Sequence, residues 1–557
     1  MASYSRFGEA QAHIVQSLDT ALRARGFDNL KSYIEVDRPT EDGHGDLVSN
    51  VALKVARFTK MAPLALASAL AADWNDDAVV ERVEAAGPGF LNFTLNTRWM
   101  AEVVHQVRAE GASYGRTTAA GHGDRILIEF VSANPVGPMV VVNGRAAAIG
   151  DSLARILNAA GFTAHREFYV NDGGNQILKL GHAILLRLQE LQGRDVMSTW
   201  PDDVYPGEYV ISVATAWRAE HPDIVIDDLD ESSYELLGDY GAKKFQQQHE
   251  AVLRGFGVEF DRWYHERELR QALAPEAVID RLDRLGFMET KDGARWFLSE
   301  KFGDDKNRVM VKSDGTMTYF VPDAAYHADK FDRGYHYVID LLGPDHHGYV
   351  GRMRAVVKAL GYPPDRLEIL IVGLVRLMRG EELVRMSKRK GSYVPLEDLI
   401  EEAGVDQARY FFLERAPETP MDFDLDLAKL RDSKNPVYYI QYAGARIHGI
   451  LRQWRDLGEP DVELDLAYLQ SPHERQLLWL LARYPDVIVR AAMERAPQHL
   501  PRYLTELASA FHGFYREQRI LEEARGVRQA RLALIEAVLV VLGSGLDLLG
   551  ISLPERM

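Results

Sequence analysis

Residues 125–170 read "RILIEFVSANPVGPMVVVNGRAAAIGDSLARILNAAGFTAHREFYV", and this stretch decides the fold. The run "RILIEFV" (125–131) is apolar and rich in strand formers, and it ends in turn formers at Asn134, Pro135, Gly137 and Pro138. From residue 144, "GRAAAIGDSLARILNAAG" brings Ile149, Leu153, Ile156 and Leu157 onto one helical face, with Gly161 as a stop. "TAHREFYV" (163–170) is a second strand. Strand, helix and strand in this order predict one βαβ unit of a parallel sheet. Across the junction, three valines (Val140–Val142) extend the apolar run and Asn143 is a good N-cap, so "VVVN" is predicted to fold as strand, then cap, then helix. Ligands of open parallel sheets sit at the carboxyl ends of strands, and phosphates favour helix N-termini. The exit past Glu129, Ser132 and Asn134 is therefore the candidate site.

The same texture returns downstream as strand "YHYVIDLLG" (335–343), helix "HHGYVGRMRAVVKALG" (346–361) and strand "RLEILIVGLVRL" (366–377). Between the two halves, from about 178 to 305, acidic and irregular sequence reads as an insertion. Residues 1–110 alternate amphipathic helices with a strand-like "GPGFLNFTL", which predicts a small α+β domain, and "GRTTAAGHGD" (115–124) reads as a linker. A core domain is expected over 122–430. Residues 431–557 are almost entirely helix-patterned, which predicts an all-α bundle.

Composition narrows the function classes. The chain of 557 residues has no cysteine, which excludes disulfides, thiolate metal sites and cysteine nucleophiles and fits a reducing cytoplasm. A net charge of −17 argues against binding nucleic acid by bulk attraction. The charge is uneven, however: residues 431–557 hold 16 basic and 16 acidic side chains, and 15 of those bases are arginine. Such a tail can dock phosphates through bidentate guanidinium groups, or it can be an ordinary solvated surface. The first helix carries Glu9 and Asp19, unlike a signal peptide, and no uninterrupted apolar window of about 18 residues predicts a membrane span.

Two further clusters carry chemistry. "RMSKRKGSY" (385–393) gathers Arg385, Lys388, Arg389 and Lys390 around Ser387 and Gly391. Beside a nucleotide these cations would offset phosphate charge; elsewhere they would form a solvated loop. "DHH" (345–347) has metal-ligand residue types, but no recognisable partner set accompanies it, so no metal site is expected.

In the order of the chain, "EFVSANPVGP", "GRAAAIGDSLARILNAAGF", "FYVNDGGNQI", "TYFVPDAAYHADKF", "GPDHHGYV", "RMSKRKG", "NPVYYIQYA" and "PERM" resemble the blocks of the class I arginyl-tRNA synthetases. The resemblance runs nearly end to end. It implies an α/β multidomain protein: a Rossmann-type catalytic core with its lysine loop at 385–391, an N-terminal α+β domain that contacts tRNA, and a C-terminal helical anticodon-binding bundle. It implies ATP, with Mg2+, as a substrate, and L-arginine and arginine tRNA as partners, in a cytoplasmic monomer that binds neither DNA nor membrane. Carried over by position, Glu129 and Asp323 are the carboxylates for arginine's two cationic ends, Asn134 and Tyr319 their hydrogen-bonding companions. Met386, Ser387 and Lys388 form the ATP loop, with Lys388 on the phosphates. Without the resemblance, Tyr319 reads more often as a core aromatic and Asp323 as a turn residue.

One block departs from the family. Where the family's ATP motif has histidine, a small apolar residue, glycine and histidine, this chain has Val140, Val141, Val142 and Asn143. Valine has no donor for a phosphate, and a side chain at 142 occupies space that the family's glycine leaves to the adenine. Losing one preorganised donor costs about 2.7–4 kcal/mol of transition-state stabilisation, so adenylate formation is predicted to be slowed by about 10⁴-fold or more. Two alternatives stand beside that expectation: a working arginyl-tRNA synthetase that holds ATP differently, and a non-catalytic protein that binds arginine or tRNA.

Overall fold

A computed structural model describes residues 5–39, 44–75, 77–384, 394–458 and 463–557. At its centre five strands form one sheet: β1 (Arg125–Glu129), β2 (Thr163–Val170), β3 (Arg262–His265), β4 (Tyr337–Leu342) and β5 (Leu367–Ile371), in the order β5-β4-β1-β2-β3. All four pairings are parallel. Parallel neighbours need a crossover, and helix α1 (Val141–Ala159) supplies it between β1 and β2, burying Ile149, Leu153, Ile156 and Leu157 as the sequence predicts. Gly150 makes the close packing feasible, because a Cβ there would lie 2.3 Å from the Phe130 ring.

The helix begins earlier than its sequence suggests. β1 ends at Glu129, residues 130–139 are irregular, Val140 is the N-cap, and Val141 and Val142 already lie in the first turn. The expected strand through the valines, capped by Asn143, is thus corrected, and tertiary pairing is the reason. Val140 bridges to Pro395, the Val141 amide donates to the Val394 carbonyl at 3.1 Å, and the Leu396 amide donates to the Met139 carbonyl at 2.9 Å. Asn143, now at the third helical position, accepts the Val140 amide on Oδ1 at 2.9 Å, the reach-back half of a capping box.

Residues 178–305 contain helices and one strand of the central sheet. Helices α2 (Asn175–Leu191), Tyr209–Glu220 and α3 (Tyr234–Gly255) pack around Leu180, Trp217, Leu237 and Phe245, and the chain then returns to lay β3 along the sheet edge. The short "RWYH", flanked by charge, has no strand periodicity of its own; pairing with Glu167–Val170 makes it a strand.

Helices α4 (Phe320–Asp332), α5 (Val350–Ala359) and α6 (Val405–Leu413) complete the core. Beyond them α7 (Pro436–Leu457), α8 (Pro472–Met493), α9 (His499–Glu517) and α10 (Arg525–Leu549) form the bundle. By length and composition α10 could cross a membrane, but its Leu534, Val538, Val541 and Leu542 are buried among the other helices. Helix α1 packs directly on α8 and α10. Arg409 of α6, fully buried, ties this junction by donating to the carbonyls of Leu549 (2.7 Å) and Phe256 (3.1 Å) and to Asp151 (2.6 Å). The N-terminal unit is a three-stranded antiparallel sheet (Leu47–Ser49, Val80–Ala86, Phe90–Leu95) with helices Arg6–Ala24, Val51–Thr59, Pro63–Ala72 and Thr97–Glu110. Arg475 of α8 holds it to the bundle through the Leu95 carbonyl at 2.7 Å.

Candidate active site

Sheet register places three carboxylates in one row. Asp340 of β4 lies opposite Glu129 of β1, which lies opposite Glu167 of β2, and all three are buried. Such a row demands cations, and α4 provides them at successive turns. Lys330 Nζ bonds Glu129 at 2.5 Å and Asp340 at 2.7 Å; His327 Nε2 meets Asp340 at 2.7 Å; Arg333, just past the helix, grips Glu167 with two bonds of 2.6 and 2.7 Å. Burial opposes the charge on Lys330, yet Asp340 and Glu129 outweigh it and raise its pKa; for Asp340, burial is in turn outweighed by Lys330 and His327, which hold its pKa well below the carboxylate range. The spacing of His327, Lys330 and Arg333 on one helical face was the available signal for this network. Sequence reading overlooked it because its partners lie on three different strands.

Glu129 ends β1 and faces the turn that follows. There Val131 (φ 69°) and Ser132 (φ 41°) adopt left-handed backbone, a costly conformation for a β-branched residue. Ser132 holds it by donating Oγ–H to Glu129 at 2.8 Å and accepting the Tyr169 amide at 3.1 Å. Asn134 follows on the exposed part of the turn.

Asp323 lies in the first turn of α4, and its carboxylate accepts the Tyr349 hydroxyl. It has no ion-pair partner among the described residues. Burial raises its pKa to about 7; His327 opposes the rise, and Glu129 and Glu266 add to it. Tyr319, the N-cap of α4, is 80% exposed, so it is no core aromatic. His346 and His347 are exposed, and no group of three metal-ligating side chains occurs among the described residues.

At the α1 turn, Val140 and Val142 are half-buried and offer no side-chain donor; the Asn143 oxygen is committed to the Val140 amide, leaving its NH₂ as the one side-chain donor of the three. Two residues further, fully buried Arg145 donates to the carbonyls of Gly373 (2.8 Å) and Ala416 (3.0 Å). Burial, with Arg415 nearby, lowers its pKa to about 10. Met386, Ser387 and Lys388 lie outside the described residues; the segment resuming at Val394 pairs with the α1 turn.

A separate recess of about 490 Å³ opens on the bundle. Tyr442 stacks with Tyr438 (5.9 Å between centroids) and His512 (6.0 Å), and the Arg446 guanidinium lies over Tyr442 and Tyr515 at 4.5 and 4.6 Å. Aromatic faces beside a cation form a surface suited to stacking nucleobases.

Comparison with known proteins agrees over the whole chain. Residues 9–95 match the arginyl tRNA synthetase N terminal domain, 104–195 and 237–432 the catalytic domain of the class I (R) tRNA synthetases, and 440–557 the DALR anticodon binding domain. The arginine–tRNA ligase of Symbiobacterium thermophilum is 46% identical over 99% of this chain and 98% of its own, and that of Bacillus subtilis is 40% identical over 94% of each. The fold matches Thermus thermophilus arginyl-tRNA synthetase with a TM-score of 0.76 at 22% identity, over 98% of this chain and 100% of that one. With family models spanning its three parts and relatives alike over nearly its full length, the chain belongs to the class I arginyl-tRNA synthetases.

Proposed function

We propose that the chain is an arginine–tRNA ligase, joining L-arginine to its tRNA at the expense of ATP. The observation that carries this reading is Asp323: a carboxylate with no ion-pair partner among the described residues, close enough to Glu129 at the end of β1 for the two charges to be felt by one another. A dication such as arginine offers a charge to each, and its guanidinium can pair bidentately. Asn134 and Tyr319, both exposed, add hydrogen bonds. In the first step the arginine carboxylate attacks the α-phosphorus of ATP and pyrophosphate leaves; in the second a terminal ribose hydroxyl of the tRNA attacks the acyl carbon and AMP leaves. Lys388, in the sequence just before Val394, supplies positive charge to the phosphates in the first step. The aromatic recess around Tyr442 and Arg446 takes bases of the anticodon.

A specific observation favours a second reading within this one, that adenylate formation is slow. Val140 and Val142 bring no donors and the Asn143 oxygen serves the fold, which leaves the Asn143 NH₂ as the one side-chain donor of the three toward developing transition-state charge. Pyrophosphate exchange with arginine and tRNA present, run beside calorimetry for arginine, tests both. Arginine binding with ordinary exchange supports the working ligase; arginine binding with near-background exchange supports the slowed one; no arginine binding would refute the proposed pocket.

A further inference from the structure

Asp323 is held from outside its own helix. Within α4, His327 Nδ1 donates to the Asp323 backbone carbonyl at 2.7 Å, which fixes the turn but leaves the carboxylate free to rotate. Among the described residues, the one side chain bonded to that carboxylate is Tyr349, whose hydroxyl donates to Oδ2. Tyr349 ends the short segment Pro344–Tyr349 that joins β4 to α5. Its ring is braced twice: His346 meets it edge-on, with 5.8 Å between centroids, and the Arg352 guanidinium, one turn along α5, lies 5.1 Å from its centre. A ring held at two points aims its hydroxyl in a narrow range of directions. The β4–α5 junction therefore sets the orientation of a carboxylate on α4.

The contact bears on chemistry as well as on placement. An ionised carboxylate has about four acceptor sites; Tyr349 takes one on Oδ2, and a bidentate guanidinium needs one on each oxygen. The groups facing Asp323 pull both ways. Glu129 of β1 and Glu266, which directly follows β3, oppose its charge, while His327 and Lys330 of α4 favour it. Tyr169 of β2, its own pKa raised by burial and by the same carboxylates, stays neutral. Burial is the largest influence and favours the neutral acid, whereas a hydroxyl donating to Oδ2 favours the ionised form. We infer that Tyr349 is a positioning residue of the arginine pocket, holding the Asp323 carboxylate in one rotamer with an acceptor site on each oxygen left for the guanidinium. The inference rests on the arginine reading above.

Calorimetry of L-arginine from pH 6 to pH 9, on the full chain and on its Tyr349→Phe variant, tests this. Phenylalanine keeps the ring and both of its neighbours and removes only the donor. At pH 9, where the carboxylate is ionised in both proteins, the variant should bind arginine about tenfold more weakly, the scale of one hydrogen bond to a charged group. Toward pH 6 its deficit should grow, because the pH above which affinity levels off should move up by about one unit once the ionised form has lost its donor. A loss of the same factor at every pH, with the levelling-off point unmoved, would reduce Tyr349 to a structural role; unchanged affinity throughout would leave it none. Either result overturns the assignment while the arginine pocket stands. If the unaltered protein bound no arginine, the pocket reading itself would fall and this inference with it.

Discussion

The side-chain oxygen of Asn143 accepts the Val140 amide at 2.9 Å, closing the first turn of the helix that follows β1. The turn is well built and chemically poor. Restoring its donors through Val140→His, Val142→Gly and Asn143→His together should raise arginine- and tRNA-dependent pyrophosphate exchange by several orders of magnitude, since each fixed donor contributes about 2.7–4 kcal/mol. Asn143→His alone should recover little while Val142 keeps its side chain. If the unaltered chain already turned over at about 1–10³ per second, the slowed reading would be wrong.

Arginine binding should depend on pH through Asp323. Its pKa is raised from the ordinary 3.8 to about 7 by burial, so the carboxylate that arginine needs is scarce below pH 6 and dominant above pH 8. Calorimetric affinity should climb by up to about tenfold per pH unit below 7 and level off above it. The same shift affects stability with the opposite sign. From pH 3.8 to about 7 the folded state keeps a proton that the unfolded chain releases, so this contribution falls as pH rises. Asp323→Asn should thus abolish arginine binding yet raise the thermal midpoint at pH 8; a lowered midpoint there would contradict the assignment of burial as the cause.

Lys330 is the cation on which the carboxylate row depends. Lys330→Met would leave Glu129 and Asp340 buried without their shared partner, at a cost of about 3–5 kcal/mol, read as a lower urea midpoint of the catalytic core and poor soluble yield. Adding Asp340→Asn should recover part of the loss, because the two positions are directly coupled. An unchanged midpoint in the single variant would show that water, not Lys330, compensates the row.

On the bundle, Tyr442→Ala and Arg446→Ala should each weaken arginine tRNA, the tyrosine by about 1–3 kcal/mol if it stacks one base, with arginine affinity unaltered. Binding by the unaltered protein should fall steeply with salt. Equal affinity for an unrelated tRNA in a filter assay would reduce the claim to nonspecific contact.

Much of this was legible in the chain itself. The apolar periods of 125–170 dictate a parallel βαβ unit whatever surrounds them, because strand and helix spacing are local properties; the buried stripe of α1 confirms the reading residue by residue. Local chemistry also shows that Val140 and Val142 bring no side-chain donor to the start of α1, since a valine has none. Tertiary structure decided the rest. The start of α1 was set by pairing with Val394–Leu396, more than 250 residues away in the numbering. β3 became a strand only because β2 gave its backbone partners. The role of Lys330 followed from the register that aligns Asp340, Glu129 and Glu167 across three strands. Propensity and periodicity are sums over neighbours in sequence, whereas register, ion pairing and desolvation depend on which distant groups the fold brings within a few ångströms.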